Sequence, residues 1–258
     1  MRIIIMLIVS LILVSSMVAS AGVFAFASAG KPDDVPPPLE KKVFIHYKKG
    51  FGKPDGTPGN GPPSKPPKDE DESGYYALLG KGLKWKTTPV SYVIDPGNAD
   101  ELEEEFIVDA VSQSAEEWDE HTGIELFSNS YTINYELSWD DDNPDGRNEI
   151  VFEDYPQQGV IGVTVVWGYF SGPPGQREII EFDIMFDTDF TWGNADNDPT
   201  VMDLQNIATH EFGHGAGLDD LYQDAAHQET MYGYADYGET IKRDLYIGDQ
   251  EGIKKLYG

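Results

Sequence analysis

From about Leu83 onward the chain shows the spacing of apolar and polar residues that belongs to a folded domain. Val90 to Asp95 alternate and are rich in β-branched side chains, so they are predicted as a strand, closed by Pro96-Gly97. Leu102, Phe106, Ala110 and Ser114 recur every four residues beside Ile107, Val111, Ala115 and Trp118. Glu103, Glu104, Glu105, Glu116 and Glu117 fill the opposite side, which predicts an amphipathic helix over 100–120. Asn98 or Asp100 is placed to cap its start, and Gly123 suits its end. Short strands are predicted at 124–127, 131–137, 149–153, 160–168 and 178–187. They are separated by turns such as Asn143-Pro144-Asp145-Gly146 and Gly172-Pro173-Pro174-Gly175. A second helix is predicted from about Met202 to Gly215, and a short third one from about Asp249 to Leu256. There is no internal repeat.

Upstream of this domain the pattern changes twice. Arg2 is followed by residues 3–29, which carry no charge, and Ala27-Ser28-Ala29 fits small-x-small processing before Gly30. Residues 1–29 are therefore expected to be a signal peptide. The alternative is an uncleaved signal anchor, because the apolar run is long enough to span a bilayer. Both readings put the remainder outside the cytoplasm. Residues 30–82 are rich in Pro and Gly and read as a linker or a short pro-segment. One island in it, Val43-Phe44-Ile45-His46-Tyr47, has the makings of a short strand, and the segment is either a plain spacer or a remnant propeptide lying across the folded domain. That domain is expected to span 83–258.

Charge sharpens this division. The chain has 258 residues and a formal net charge of −28, yet residues 87–241 hold 35 acids against Arg147 and Arg177 alone. Such a surface excludes a nucleic-acid binder, which needs basic groups for phosphate contact. The absence of Cys excludes disulfides, thiolate metal sites and Cys nucleophiles.

The sharpest chemical signal is His210-Glu211-Phe212-Gly213-His214-Gly215-Ala216-Gly217-Leu218-Asp219-Asp220. Two His four residues apart share one helix face and reach one ion. Glu211 lies between them as a general base for a water and as a proton donor to a leaving amine. Zinc in such a site lowers the pKa of its water to about 7. Gly217 is a natural helix stop, after which the chain can fold back and offer Asp220 as third ligand. His227 is a fallback third ligand of poorer spacing, and Asp219 is read as a supporting or solvated acid.

These residues resemble the metzincin zinc endopeptidases, and most closely the matrixins, whose motif H-E-x-x-H-x-x-G-x-x-H is matched from His210 to Gly217. The motif departs at Asp220, where matrixins place a third His. The resemblance covers about 83–258 and extends to Met231, which matches the Met-turn beneath the metal. It also takes in a first strand at Lys84-Trp85 and Val90–Ile94 and a last helix at 249–258. It implies an α+β domain: a twisted five-stranded mixed sheet with an antiparallel edge strand, an active-site helix and a C-terminal helix. Val160–Trp167 is the candidate edge, along which an extended peptide would pair beside the zinc. Met185 stands where matrixins carry a ligand of a second, structural zinc, so one zinc is expected. The Cys of the matrixin latency device is missing. Gly233 stands where Pro is usual after the Met-turn. Tyr232 and Tyr234 are expected to pack in the cleft rather than act in catalysis. Asp187 matches a calcium-ligand position, although Phe190 replaces a nearby Glu. The oxygen-rich loop Asp141-x-Asn143-x-Asp145-Gly146 lacks a twelfth-position Glu and reads as a polar turn.

The expectation is thus a secreted zinc endopeptidase, a monomer acting on extended polypeptide, with calcium as a candidate second ion. Membrane attachment is expected only if the signal segment is uncleaved. The rival readings are a non-catalytic, zinc-stabilised extracellular binding domain, an exopeptidase, and a maturation protease of narrow specificity.

Overall fold

The computed structural model of the chain describes residues 37–51, 74–97, 102–139 and 142–258. Pro36–Gly258 forms a single compact unit. Its strands in chain order are β1 (Glu40–Lys48), β2 (Val93–Ile94), β3 (Thr132–Ile133), β4 (Glu149–Glu153), β5 (Val160–Tyr169), β6 (Glu178–Asp187), β7 (Trp192–Gly193), β8 (Met202–Asp203) and β9 (Tyr234–Ala235). Seven of them make one mixed sheet in the order β3-β2-β4-β6-β5-β1-β9, and β7 pairs with β8 apart from it. The sheet is larger than the five strands expected, because β1 and β9 extend it beyond β5. The strand read as an edge, Val160–Trp167, is therefore covered.

β5 and β6 form the long antiparallel centre, from Gly162 opposite Phe186 to Tyr169 opposite Glu178. All of β5 except Tyr169 is buried, as its nearly unbroken apolar sequence requires when both faces are covered. β4 joins β6 in parallel. The strands expected at 90–95 and 131–137 shorten to two residues each. Val90 makes only an isolated bridge to Phe127 although it is buried, and Tyr135 stands 64% exposed. The segment 124–127 is likewise held by single backbone bonds rather than as a strand.

Two long helices cover one side of the sheet. α1 (Glu104–Asp119) turns Ile107, Val111, Ala115 and Trp118 inward, as its spacing predicts. Asn98 and Asp100, the expected caps, lie outside the described residues, and Glu103 occupies the N-cap without a side-chain bond. The helix stops at Asp119, ahead of Gly123. The Asp119 carboxylate accepts the backbone N–H groups of Leu126 and Phe127 at 3.0 and 3.1 Å, which turns the chain away.

α2 (Leu204–Ala216) is buried over its whole length except at Gln205. Asp203 caps it by accepting the Asn206 N–H at 2.9 Å. At the other end Gly217 takes φ 110°, in the left-handed region where a Cβ is strained. Trp118 ties the two helices by donating its indole N–H to the Thr209 carbonyl at 2.8 Å. Phe127, Phe182 and Phe212 meet edge to face between helices and sheet. α3 (Ile247–Tyr257) closes the domain and begins two residues earlier than its pattern predicts. No helix of the described residues is long and apolar enough to cross a membrane, and the candidate signal segment lies outside them.

Candidate metal centre

α2 presents His210 and His214 on one face, and the reversal at Gly217 brings Asp220 back toward them. Oδ1 of Asp220 lies 3.3 Å from Nε2 of His210 and 3.6 Å from Nε2 of His214. Ligand atoms at about 2.0–2.1 Å around a tetrahedral ion are separated by about 3.3–3.4 Å, so the Asp220 oxygen stands from each imidazole nitrogen at about the separation zinc requires. The donor set is one zinc takes, two imidazoles and a carboxylate oxygen. Nε2 of His210 and Oδ1 of Asp220 are buried without a hydrogen-bond partner. Buried polar atoms normally have a partner, and a metal ion held here would supply one. The residues present therefore fit a zinc ion.

Each ligand is oriented from behind. Nδ1 of His210 donates to the Thr230 carbonyl at 2.8 Å, and Nδ1 of His214 to the Leu218 carbonyl at 3.0 Å. A carbonyl can only accept, so both rings keep the Nε2 lone pair free for an ion. Asp220 accepts the Tyr222 hydroxyl on Oδ2 at 2.7 Å. Burial pushes the Asp220 carboxyl up, but His214 and His210 outweigh it and hold it well below the usual carboxylate range. Burial of Tyr222, with the Asp220 charge beside it, pushes the phenol up and keeps it a donor.

Glu211 is fully buried, and Thr164 on β5 donates to its Oε2 at 2.6 Å. Burial alone would raise its carboxyl. The His46 contact and the neighbouring His210, His46 and His214 bring it below its ordinary value.

Beneath the centre lies Met231. A Cβ built on Gly213 would stand 2.2 Å from its sulfur, so the absence of a side chain at Gly213 lets Met231 approach the helix. The Asp249 carboxylate accepts the N–H groups of Thr230 and Met231 and fixes this turn. Through Thr230 the support reaches His210.

His227 is exposed, bonded to the Asp224 carbonyl, and lies outside the metal-spaced group. Asp219 is buried and accepts the Asp220 N–H at 3.0 Å. Tyr232 and Tyr234 pack edge to face, with Tyr222 against Tyr234. Gly233 makes room for Tyr222: a Cβ there would meet its ring at 2.6 Å, which explains the departure from Pro.

Asp187 joins Asp154 and Asp189 in a second cluster whose oxygens lie within 4.8 Å of one another. Its Oδ2 is buried without a partner. In the loop 142–146, by contrast, Asp145 is bound by Arg147, and the N–H groups of Asp145 and Gly146 go to Glu181. Asp141 lies outside the described residues. Asp196 pairs with Arg243, and Asp198 takes the Thr200 hydroxyl.

Sequence reasoning missed five contributors. Thr164 and Tyr222 act through tertiary contacts that no local spacing announces. Asp154 and Asp189 flank Asp187 across a strand end. His46 is the fifth: its ring lies 3.9 Å from that of His210, and its Nδ1 is 3.3 Å from Oε1 of Glu211.

The family profile for matrixins matches residues 84–258, more than half of the chain. The chain belongs to the matrixin family. Human matrix metalloproteinase-25 is 30% identical to this matrixin over 126 residues, covering 45% of the chain and 21% of that protein. Rat matrix metalloproteinase-16 is 37% identical over 99 residues, covering 38% and 15% respectively. Metalloendoproteinase 2-MMP of Arabidopsis thaliana is 30% identical over 197 residues, covering 71% of the chain and 45% of that protein. The matched stretch is thus less than half the length of each of these relatives.

Proposed function

We propose that this matrixin is a secreted zinc endopeptidase in which His210, His214 and Asp220 hold one zinc and Glu211 moves the proton. The observation that carries the reading is the approach of Oδ1 of Asp220 to Nε2 of both His210 and His214, with the buried Glu211 carboxyl beside them. Zinc held there supplies Lewis acidity toward a water and the scissile carbonyl. Glu211 accepts the proton of the attacking water and returns it to the leaving amine. Thr164 aims the carboxylate by holding Oε2. The backbone of β5 offers an extended polypeptide its hydrogen bonds, with β9 as the facing wall. Residues 1–29 are the signal peptide on this reading, and export rests on that segment. Calcium at Asp154, Asp187 and Asp189 is the second ion supported.

The intact, buried Glu211 favours an enzyme over a zinc-stabilised binding domain, because a structural site has no use for it. The test is metal analysis with cut-site mapping on a denatured protein, wild type beside Glu211→Gln, before and after tryptic trimming of the Lys-containing N-terminal segment. Both proteins are expected to hold one zinc, and only the wild type to make internal cuts. Undiminished cleavage by Glu211→Gln would overturn the assignment. Cuts confined to chain ends would favour the exopeptidase.

A further inference from the structure

The groove described above as the place for an extended polypeptide is filled by the chain itself. β1 runs antiparallel to β5, from Glu40 opposite Gly168 to Tyr47 opposite Val160. On its other side it runs parallel to β9, with Tyr47 opposite Tyr234. Lys48 donates to the Gly159 carbonyl at 2.9 Å, and Lys49 to the Ala235 carbonyl at 2.8 Å, so the backbone bonds of both walls are taken.

Alternate side chains of β1 face the centre, as a strand requires. Phe44 stacks on His214, ring centroids 4.1 Å apart at 16°. His46 follows two residues later and covers His210. It is 1% exposed, and neither of its ring nitrogens has a hydrogen-bond partner. Its 3.3 Å approach to Glu211 lacks hydrogen-bond geometry. A buried imidazole left unmatched at both nitrogens is costly, and a ligand bond to a metal ion removes that cost. Ligand atoms of His46, His210 and Glu211 lie within 4.8 Å of one another, and His210 belongs also to the group formed with His214 and Asp220.

We propose that Glu40–Lys48 is an inhibitory strand built into the chain, and that His46 supplies a ligand to the metal held by His210, His214 and Asp220. The proposal rests on the zinc reading of that site and names its regulation. His46 then excludes the water that Glu211 would deprotonate, and β1 excludes the polypeptide from β5. Activation is the departure of β1 from the groove.

The full chain loaded with cobalt tests this, wild type beside His46→Phe, which keeps a ring of similar size in the groove and cannot ligate. The visible cobalt bands are expected to differ between the two. Acetohydroxamate is expected to shift the bands of His46→Phe and to leave those of the wild type unchanged. Metal affinity by chelator competition is expected to fall about tenfold in His46→Phe. His46→Ala is expected to cleave a quenched extended peptide at least about ten times faster than the wild type. Identical bands with one cobalt bound, or a wild type cleaving as fast as His46→Ala, would overturn the proposal and leave the zinc reading standing. Failure of every protein to take up cobalt would overturn both. Circular dichroism melts separate loss of the ligand from loss of the fold.

Discussion

The Tyr222 hydroxyl donates to Oδ2 of Asp220 at 2.7 Å, which turns Oδ1 of the same carboxylate toward His210 and His214. A carboxylate ligand with one oxygen tied behind it can rotate less than a free one, so the site is preformed. Tyr222→Phe keeps the ring and removes the donor to Asp220. Loss of a group that orients a ligand typically costs about 10–100-fold in metal affinity. Chelator competition on the two proteins is expected to show a drop in that range; a change below about twofold would mean that Asp220 is held by other means.

Thr164 has the corresponding role for Glu211. Thr164→Val preserves the shape of β5 and removes the donor to Oε2. A hydrogen bond to a charged group is worth about 1.5–3 kcal/mol, so kcat/KM should fall by about tenfold to a hundredfold, with zinc content unchanged. The measurement belongs in the His46→Ala background, where β1 is not anchored at the centre. A fall in zinc content instead would place Thr164 in support of the metal rather than of the base.

Much of the centre was legible because its determinants are local. The spacing of His210 and His214, the helix stop at Gly217 and the return to Asp220 occupy eleven consecutive residues and depend on helix geometry alone. The long apolar run of β5 announced itself for a similar reason, since burial on both faces writes nearly the whole strand in apolar residues. β1 was harder to read. Val43–Tyr47 is a short apolar island with two β-branched residues, but its partner β5 lies more than a hundred residues away, and the flanking Pro and Gly suggest a spacer. The stop at Asp119 in place of Gly123 depended on backbone N–H groups of Leu126 and Phe127, which no helix pattern displays. Tyr222 and Gly233 likewise make sense only as a pair.

Calcium should stabilise the fold through Asp187. Its Oδ1 accepts the N–H groups of Tyr155 and Asp189, while Oδ2 is buried without a partner beside Asp154 and Asp189. An ion at a hundred times its Kd contributes about 2.7 kcal/mol. EGTA is therefore expected to lower Tm by about 5–10 °C, given about 2–4 °C per kcal/mol for a domain of this size. Asp187→Asn should melt at one temperature with or without calcium. An EGTA-insensitive wild type would remove calcium from the account.

Acidity elsewhere gives the stability a pH dependence. Asp183 on β6 is 7% exposed and accepts the Glu149 N–H at 2.7 Å. Burial, followed by the charges of Glu181, Glu149 and Asp145, pushes its carboxyl up to about 8. An unfolded Asp titrates near about 3.9, so between these values the folded state holds a proton that the unfolded chain has lost. The stabilisation is complete below the unfolded value and is lost as pH rises through the folded one. Asp183→Asn imitates the protonated form and keeps an oxygen for the Glu149 N–H. Urea stabilities of the two proteins should nearly coincide at pH values below about 4, separate progressively up to about pH 8 and stay apart above it, with the variant more stable. Parallel curves would show that Asp183 does not titrate in this way.

Gly233 and Tyr222 should prove interdependent. A Cβ on Gly233 would lie 2.6 Å from the Tyr222 ring and 3.1 Å from Oδ1 of Asp220, so Gly233→Ala must displace the side chain that orients the third ligand. Overpacking of this kind costs about 1–3 kcal/mol, and here it should weaken metal binding as well. Tyr222→Ala removes the ring and also the bond to Asp220, so it weakens binding by a different route. With the ring gone, the added methyl of Gly233→Ala has lost its principal obstacle, and the double variant should lose less stability than the two single losses added together. Groups in contact give such coupling at about 0.5–3 kcal/mol, well above the scatter expected for independent sites. Urea denaturation of the four proteins closes the cycle, and strict additivity would show that the methyl is accommodated without moving Tyr222.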